Sequence, residues 1–406
     1  MNCRDIDLDG AGIIYPYVAN SKWNSVYRIE ACLKHPVIPN ILISAVDRLR
    51  SDYPYFFMTL AKTRTKYILR ECSRNIKTVY NNCTDICKPF DLKSGKPLVR
   101  FLCDDKRIIL EMFHGLTDGH GATEFMKALL TRYQNAYNNQ SQSTTNVIEK
   151  SNPFLNDKSD VFEKLYSRGG KNISRIITSA YQIKKSTPNK LQYTAIDIPC
   201  SRLKDAAHFY GVSVAMLICA LQIKAIAMSQ KDIGKKEIRI SVPVDLRKIF
   251  RISSCRNSSL YFLASAKNEE TKKFTDLLIN IKNQFQKNIT DKNMQNLAYT
   301  NVNSAKLKAF KILPIFIKKI ILKFGYTHLG ENQFTATMTD IGIIKLDDET
   351  KQSVEKIYFV LGEQKTKPIN IAVTTFNETA HIIISYNTDC SSFVDAMNTL
   401  IKKYIL

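Results

Sequence analysis

Arg107-Ile-Ile-Leu-Glu-Met-Phe-His-Gly-Leu-Thr-Asp-Gly-His-Gly121 is the stretch whose reading decides the fold. Its first seven residues form an alternating, largely apolar run, which predicts a buried strand. Downstream, Phe125, Met126, Leu129, Leu130 and Tyr133 recur at helical spacing and predict a helix over 122–137. Between the two, His114 opens a loop whose glycines at 115, 119 and 121 keep the backbone slim. Histidine takes and returns a proton near neutral pH without a large pKa shift. An imidazole at the mouth of a strand–loop–helix turn is therefore a candidate general base. His114, Asp118 and His120 are also ligand-type residues at helical spacing, but the sequence shows no fourth partner for a metal.

The same mixture of elements extends in both directions. Residues 26–33 alternate as a strand, and Pro39 opens a helix that carries Ile41, Leu42, Ala45, Val46 and Leu49 on one face. Strands follow through Leu60 and around 66–69, and 97–103 and 107–113 predict a hairpin joined at Asp104-Asp105. The polar, aperiodic stretch 138–160 is the candidate linker. In the second half, 191–198 is strand-like. Ser201 is expected to cap one helix, and Ser213 the next, which is apolar nearly all round and so buried. Residues 237–244 predict a strand ending at Pro243-Val-Asp, and 381–386 another. Ser391 is placed as the cap of a terminal helix bearing Phe393, Met397, Leu400 and Ile401. Residues 310–324 are basic and amphipathic. They predict a core helix with lysine stems reaching outward, although such a face would also suit a membrane surface or an acyl chain.

At 406 residues, 44% apolar and 24% charged, the chain suits two domains of a globular protein. Halves at 1–160 and 161–406 are expected. No apolar run approaches a membrane span, and the acidic N-terminus is unlike a signal peptide, so no transmembrane segment and a cytoplasmic location are expected. Of the ten cysteines, Cys83 and Cys87 form the close pair, and no second pair at metal spacing accompanies them. Reduced structural thiols and no metal are expected. The net charge of +22 favours anionic partners such as coenzyme A phosphates, an acidic carrier protein, nucleic acid or anionic lipid. Basic residues neither form one dense block nor track aromatics along a stripe, so nucleic acid is not expected as a partner.

His114-x-x-x-Asp118-Gly119 resembles the signature of the superfamily of acyl-thioester-dependent acyltransferases that comprises condensation domains, chloramphenicol acetyltransferases and alcohol acetyltransferases. Tyr53-Pro-Tyr-Phe56, Ser241-Val-Pro-Val-Asp-Leu-Arg247 and Thr335-Ala-Thr-Met-Thr-Asp-Ile-Gly342 are similar to three further stretches of the alcohol-acetyltransferase-like branch, in the same order. Phe113 stands where many condensation domains have a second histidine, and Thr339-Asp340 where Ser-Asn is usual. The resemblance implies a mixed α/β fold of two chloramphenicol-acetyltransferase-like sandwich halves, a pseudo-dimer with a tunnel at the junction and a crossing strand near 335–342. It implies that His114 is the catalytic base, that Asp118 pairs with Arg247 as structural support for the histidine loop, and that Gly119 permits close approach there. It also implies an acyl-CoA co-substrate and a small-molecule alcohol or amine acceptor; a monomer is expected. Two alternatives stay open: an acyl carrier protein as donor, or a binding scaffold without turnover. No Gly-x-Ser-x-Gly elbow is present, in keeping with direct transfer. Backbone amides of the 115–121 turn and Asn257 are the candidates for stabilising an oxyanion.

Overall fold

The computed structural model describes residues 5–20, 23–72, 79–80, 83, 85–141, 152–174, 178–185, 190–307, 312–364 and 366–406. In chain order the strands are β1 (Asp5–Asp7), β2 (Val26–Leu33), β3 (Thr59–Lys62), β4 (Tyr67–Arg70), β5 (Val79–Tyr80), β6 (Val99–Cys103) and β7 (Arg107–Phe113). The second half adds β8 (Gln192–Pro199), β9 (Ile238–Asp245), β10 (Ser259–Ala266), β11 (Ala336–Ile343), β12 (Val354–Leu361), β13 (Ile369–Phe376) and β14 (Thr379–Tyr386).

Two sheets organise the molecule. The first has the order β12-β2-β7-β6-β5, and the second β10-β9-β11-β13-β14-β8. A small sheet β1-β4-β3 flanks them. The helices Pro39–Asp52 and Gly119–Ser141 pack together over the first sheet. The helix Val214–Ser229 forms the centre of the second lobe, against Phe274–Asn288 and Ser391–Tyr404. Its Leu217, Ile218, Leu221, Ile223 and Ile226 are all buried, which is why its sequence lacks a polar face.

β13 and β14 read as near-continuous apolar runs because both faces of their sheet are covered. Ile371, Val373, Ile382 and Ile384 join the core of the second lobe. Ala372, Phe376 and Ile383, pointing the other way, join the core of the first. The chain itself also crosses. β12 leaves the second half to pair antiparallel with β2, Phe359 opposite Ile29. β11, which covers the motif stretch 335–342, lies between β9 and β13, parallel to both.

Several local expectations are corrected. The helix expected to start behind a Ser201 cap begins at Cys200, with Pro199 as N-cap and no side-chain cap. Cys390, not Ser391, is the N-cap of the terminal helix. β9 ends at Asp245, within the expected Pro243-Val-Asp segment, and Pro243 lies inside the strand. β11 pairs with β9 at Ile240 and Ser241, so beyond them that edge carries no ladder, and a residue without N–H is tolerated there. Ser213 does cap its helix, accepting from Met216 N at 3.3 Å. The expected linker falls partly outside the described residues. Its described parts are residues 138–141, which continue the helix Gly119–Ser141, and 152–160, which hold the short helix Pro153–Asn156. Most consequential is the basic helix, described as Ile315–Leu329: Lys319 and Lys323 reach outward as expected, but Lys318 is buried, and Phe316 and Ile320 face outward instead of into the core.

Candidate active site

His114 stands where the β2–β7 ladder ends. Phe113 pairs with Val26, and the His114 backbone N–H donates to the Ser25 carbonyl at 2.7 Å. The imidazole is partly buried. Tyr15 stacks on it with ring centroids 4.3 Å apart, and Tyr27 meets it edge-on at 5.3 Å. Burial of the ring pushes its pKa below the ordinary 6.5, partly opposed by the Asp118 charge and by the hydrogen bond with Asn257. Burial thus favours the neutral imidazole.

Which ring nitrogen is free follows from a chain of three side chains. His114 Nδ1 lies 3.0 Å from Asn257 Oδ1, and Asn257 Nδ2 donates to Asp9 Oδ2 at 3.1 Å. Asp9 is fully buried, accepts Gly12 N–H, and lies 3.7 Å from the Arg256 guanidinium. Burial, opposed by Arg256, pushes its carboxyl up to about 6. Both of its oxygens accept backbone N–H groups, Gly12 at Oδ1 and Asn257 at Oδ2, so Asp9 acts as an acceptor and the amide nitrogen of Asn257 faces it. Asn257 Oδ1 then faces the imidazole and needs a donor. His114 carries its proton on Nδ1, and Nε2 keeps the lone pair. Asn257 was a candidate for holding an oxyanion; its side chain is instead engaged by Asp9 and His114.

The loop that carries His114 is held by charge. Arg247 Nη1 and Nη2 lie 3.0 Å from Asp118 Oδ2 and Oδ1, in a fork-to-fork pair with both side chains at most 7% exposed. Asp118 also accepts Ser258 N–H at 2.7 Å and Gly121 N–H at 3.1 Å. Burial pulls its pKa up, but Arg247 and these two amides outweigh it and hold the carboxyl below its ordinary value. Arg247 further binds the carbonyls of Ser254 and Arg256. One guanidinium thus ties the histidine loop to the 254–258 segment that presents Asn257.

The other motifs meet at the same loop. The Tyr55 hydroxyl donates to the Leu116 carbonyl at 2.6 Å, and Phe56 stacks on Phe125 of the following helix at 4.2 Å. Thr117 donates to the Cys255 carbonyl at 2.5 Å. A Cβ on Gly119 would lie 3.0 Å from Ile341 of β11. At Gly121 it would lie 2.1 Å from Thr117 Oγ1 and 2.5 Å from the Cys255 carbonyl oxygen. Gly121→Ala is expected to destabilise the fold by about 1–3 kcal/mol, the usual cost of overpacking. Urea unfolding checks this, and an unchanged midpoint would speak against so tight a loop junction.

His120 packs edge-on against Phe154, while the Asp118 carboxylate is occupied by Arg247. The buried His381 lies 2.8 Å from Asp197 in the second sheet and takes no part in this site. Asp9 and Tyr15 were not anticipated. The available signal was Asp9-Gly-Ala-Gly12, an acidic residue in a glycine-rich turn.

No protein-family model matches the chain, and no curated protein matches it in sequence. Solved structures match it in fold. Trichothecene 15-O-acetyltransferase from Fusarium sporotrichioides superposes with a TM-score of 0.65 at 12% identity, covering 99% of this chain and 96% of that one. TRI101 of F. graminearum, solved with coenzyme A and deoxynivalenol, gives a TM-score of 0.67 at 10% identity over 99% of both chains. The epimerization domain of the third module of tyrocidine synthetase B gives 0.58 at 8% identity, over 99% of this chain and 96% of that domain. With its two sheets and its strand exchange, the chain has the two-lobed mixed α/β fold of these structures.

Proposed function

We propose that this protein transfers an acyl group from an acyl-CoA thioester to the hydroxyl or amine of a small molecule, with His114 as general base. The observation that carries this reading is the Asp9–Asn257–His114 chain, which leaves Nε2 as a neutral acceptor. In the reaction Nε2 takes the proton of the acceptor group as its oxygen or nitrogen attacks the thioester carbonyl. The carbon–sulfur bond breaks, and the imidazolium returns its proton to the departing thiolate. No covalent acyl-enzyme is needed. Asn257 accepts from Nδ1 throughout, so the positive charge on the ring forms beside a carboxylate-backed dipole. Asp118 and Arg247 support the loop and do not touch the reactants. Donor and acceptor would meet His114 from opposite ends of a passage between the halves 1–160 and 161–406. The likeness to an epimerization domain favours, as a second reading, an acyl group delivered on a carrier protein. The charge of +22 fits either anionic donor.

The test is a thiol-release screen: acetyl-CoA and longer acyl-CoAs against pooled alcohols and amines. Acceptor-dependent release of free thiol is expected. Its absence with every CoA and carrier-bound donor would overturn the reading in favour of a scaffold without turnover.

Two further outcomes follow from the geometry. kcat/KM should fall as pH drops through a value below 6.5, because protonation removes the Nε2 lone pair, and should be level around pH 7–8. A limb centred above pH 7 would contradict this. Asn257→Ala should lower kcat by about tenfold or more with little change in KM, since losing tautomer control of a catalytic histidine is costly. Steady-state kinetics separate the two parameters.

A further inference from the structure

The helix Ile315–Leu329 carries an apolar face on the outside of the protein. Phe316, Ile320 and Phe324 recur every fourth residue and are 65%, 68% and 66% exposed. Ile312, just before the helix, is 77% exposed, and Ile321 extends the stripe at 47%. Lys318, by contrast, points inward and donates to the Thr65 carbonyl at 2.6 Å. Lys319 and Lys323 are exposed along one edge of the stripe, and Lys62 and Arg64 are exposed around the turn against which Lys318 packs. On the inner face, Tyr326 stacks on Trp23 with centroids 4.2 Å apart. Trp23 leans on Tyr15 at 6.4 Å, and Tyr15 stacks on His114. The helix therefore roofs an aromatic ladder that ends at the candidate base.

We propose that this helix seats the protein on an anionic lipid surface. Phe316, Ile320 and Phe324 would enter the boundary between headgroups and acyl chains, with Lys319 and Lys323 at headgroup level. Charge selects the occupant. A second copy of the chain would bring the same lysine edge and another net charge of +22 against it, whereas anionic headgroups complement both. No single described helix is long and apolar enough to cross a membrane, so the contact is one of lying on the surface. With the ladder beneath the helix, a lipid-soluble acceptor would reach the His114 site from that surface.

The test is cosedimentation of the full chain with phosphatidylcholine vesicles, with and without phosphatidylglycerol, in the absence of any acyl donor. Binding to the mixed vesicles and weak binding to the neutral ones are expected. Each lysine near an anionic surface changes partitioning about fivefold, so Lys319→Gln with Lys323→Gln should weaken binding about 25-fold. Phe316→Ser with Ile320→Ser should weaken it by more than about tenfold, with circular-dichroism melting unchanged because both side chains are already exposed. A wild-type protein that stays in the supernatant, or variants that bind as the wild type does, would overturn the proposal. So would a wild-type dimer that the Phe316→Ser variant converts to monomer, which would assign the face to a second copy. Because no substrate is present, either result leaves the acyl-transfer reading to its own assay.

Discussion

His114→Ala should lower acyl transfer by about 10²–10⁴, the usual contribution of a positioned base, while the protein stays folded. The loss should appear mainly in kcat. As the proposed base, the ring would contribute its Nε2 lone pair to the transition state, whereas nothing in the geometry assigns it a role in holding the substrate at rest. Its structural part is smaller: the ring is partly exposed, and its backbone N–H bond to Ser25 survives the substitution. Thiol release under saturating donor, with melting by circular dichroism as control, makes the comparison. Turnover equal to the wild type would end the proposal that this imidazole is the base.

Arg247→Ala should act first on stability, by about 3–5 kcal/mol, the cost of leaving a buried charge without its partner. The carboxylate left behind, Asp118, is 3% exposed and would keep only its Ser258 and Gly121 amides. The carbonyls of Ser254 and Arg256 would lose a donor as well. The pH dependence gives a second readout. The folded-state pKa of Asp118 lies below the ordinary 3.8, so its contribution to stability is full above that value and is lost as pH falls further. The variant should lose part of this acid sensitivity. Urea unfolding at several pH values checks both effects. A variant as stable as the wild type would show that the pair does not hold the loop.

The parts of this arrangement that could be read in the sequence are those written in local periodicity. Residues 107–113 alternate, and the glycines at 115, 119 and 121 mark the turn, so the strand and helix around His114 are predicted close to where they lie. Asp118–Arg247 became readable through family resemblance, since 129 positions separate the partners. The Asp9–Asn257 contact spans 248 positions with no comparable motif, and its consequence, the tautomer of His114, depends on the direction of one amide. A strand supplied by the far half of the chain, such as β12 beside β2, is equally hidden, because alternation predicts a strand without naming its neighbour. The helix Ile315–Leu329 shows a different limit. Its apolar stripe was visible, but periodicity does not say which side meets solvent. In the structure Lys318 lies inward, bonded to the Thr65 carbonyl, and the phenylalanines lie outward.

The most direct test is the protonation state of one ring. In ¹⁵N NMR of histidine-labelled protein, with the His114 signals assigned by their loss in His114→Ala, the neutral tautomer with its proton on Nδ1 is expected at pH 7. Asn257→Ala should disturb that signal before any other histidine. A ring protonated on Nε2, or still charged at pH 7, would leave no lone pair to receive the acceptor's proton and would contradict the account.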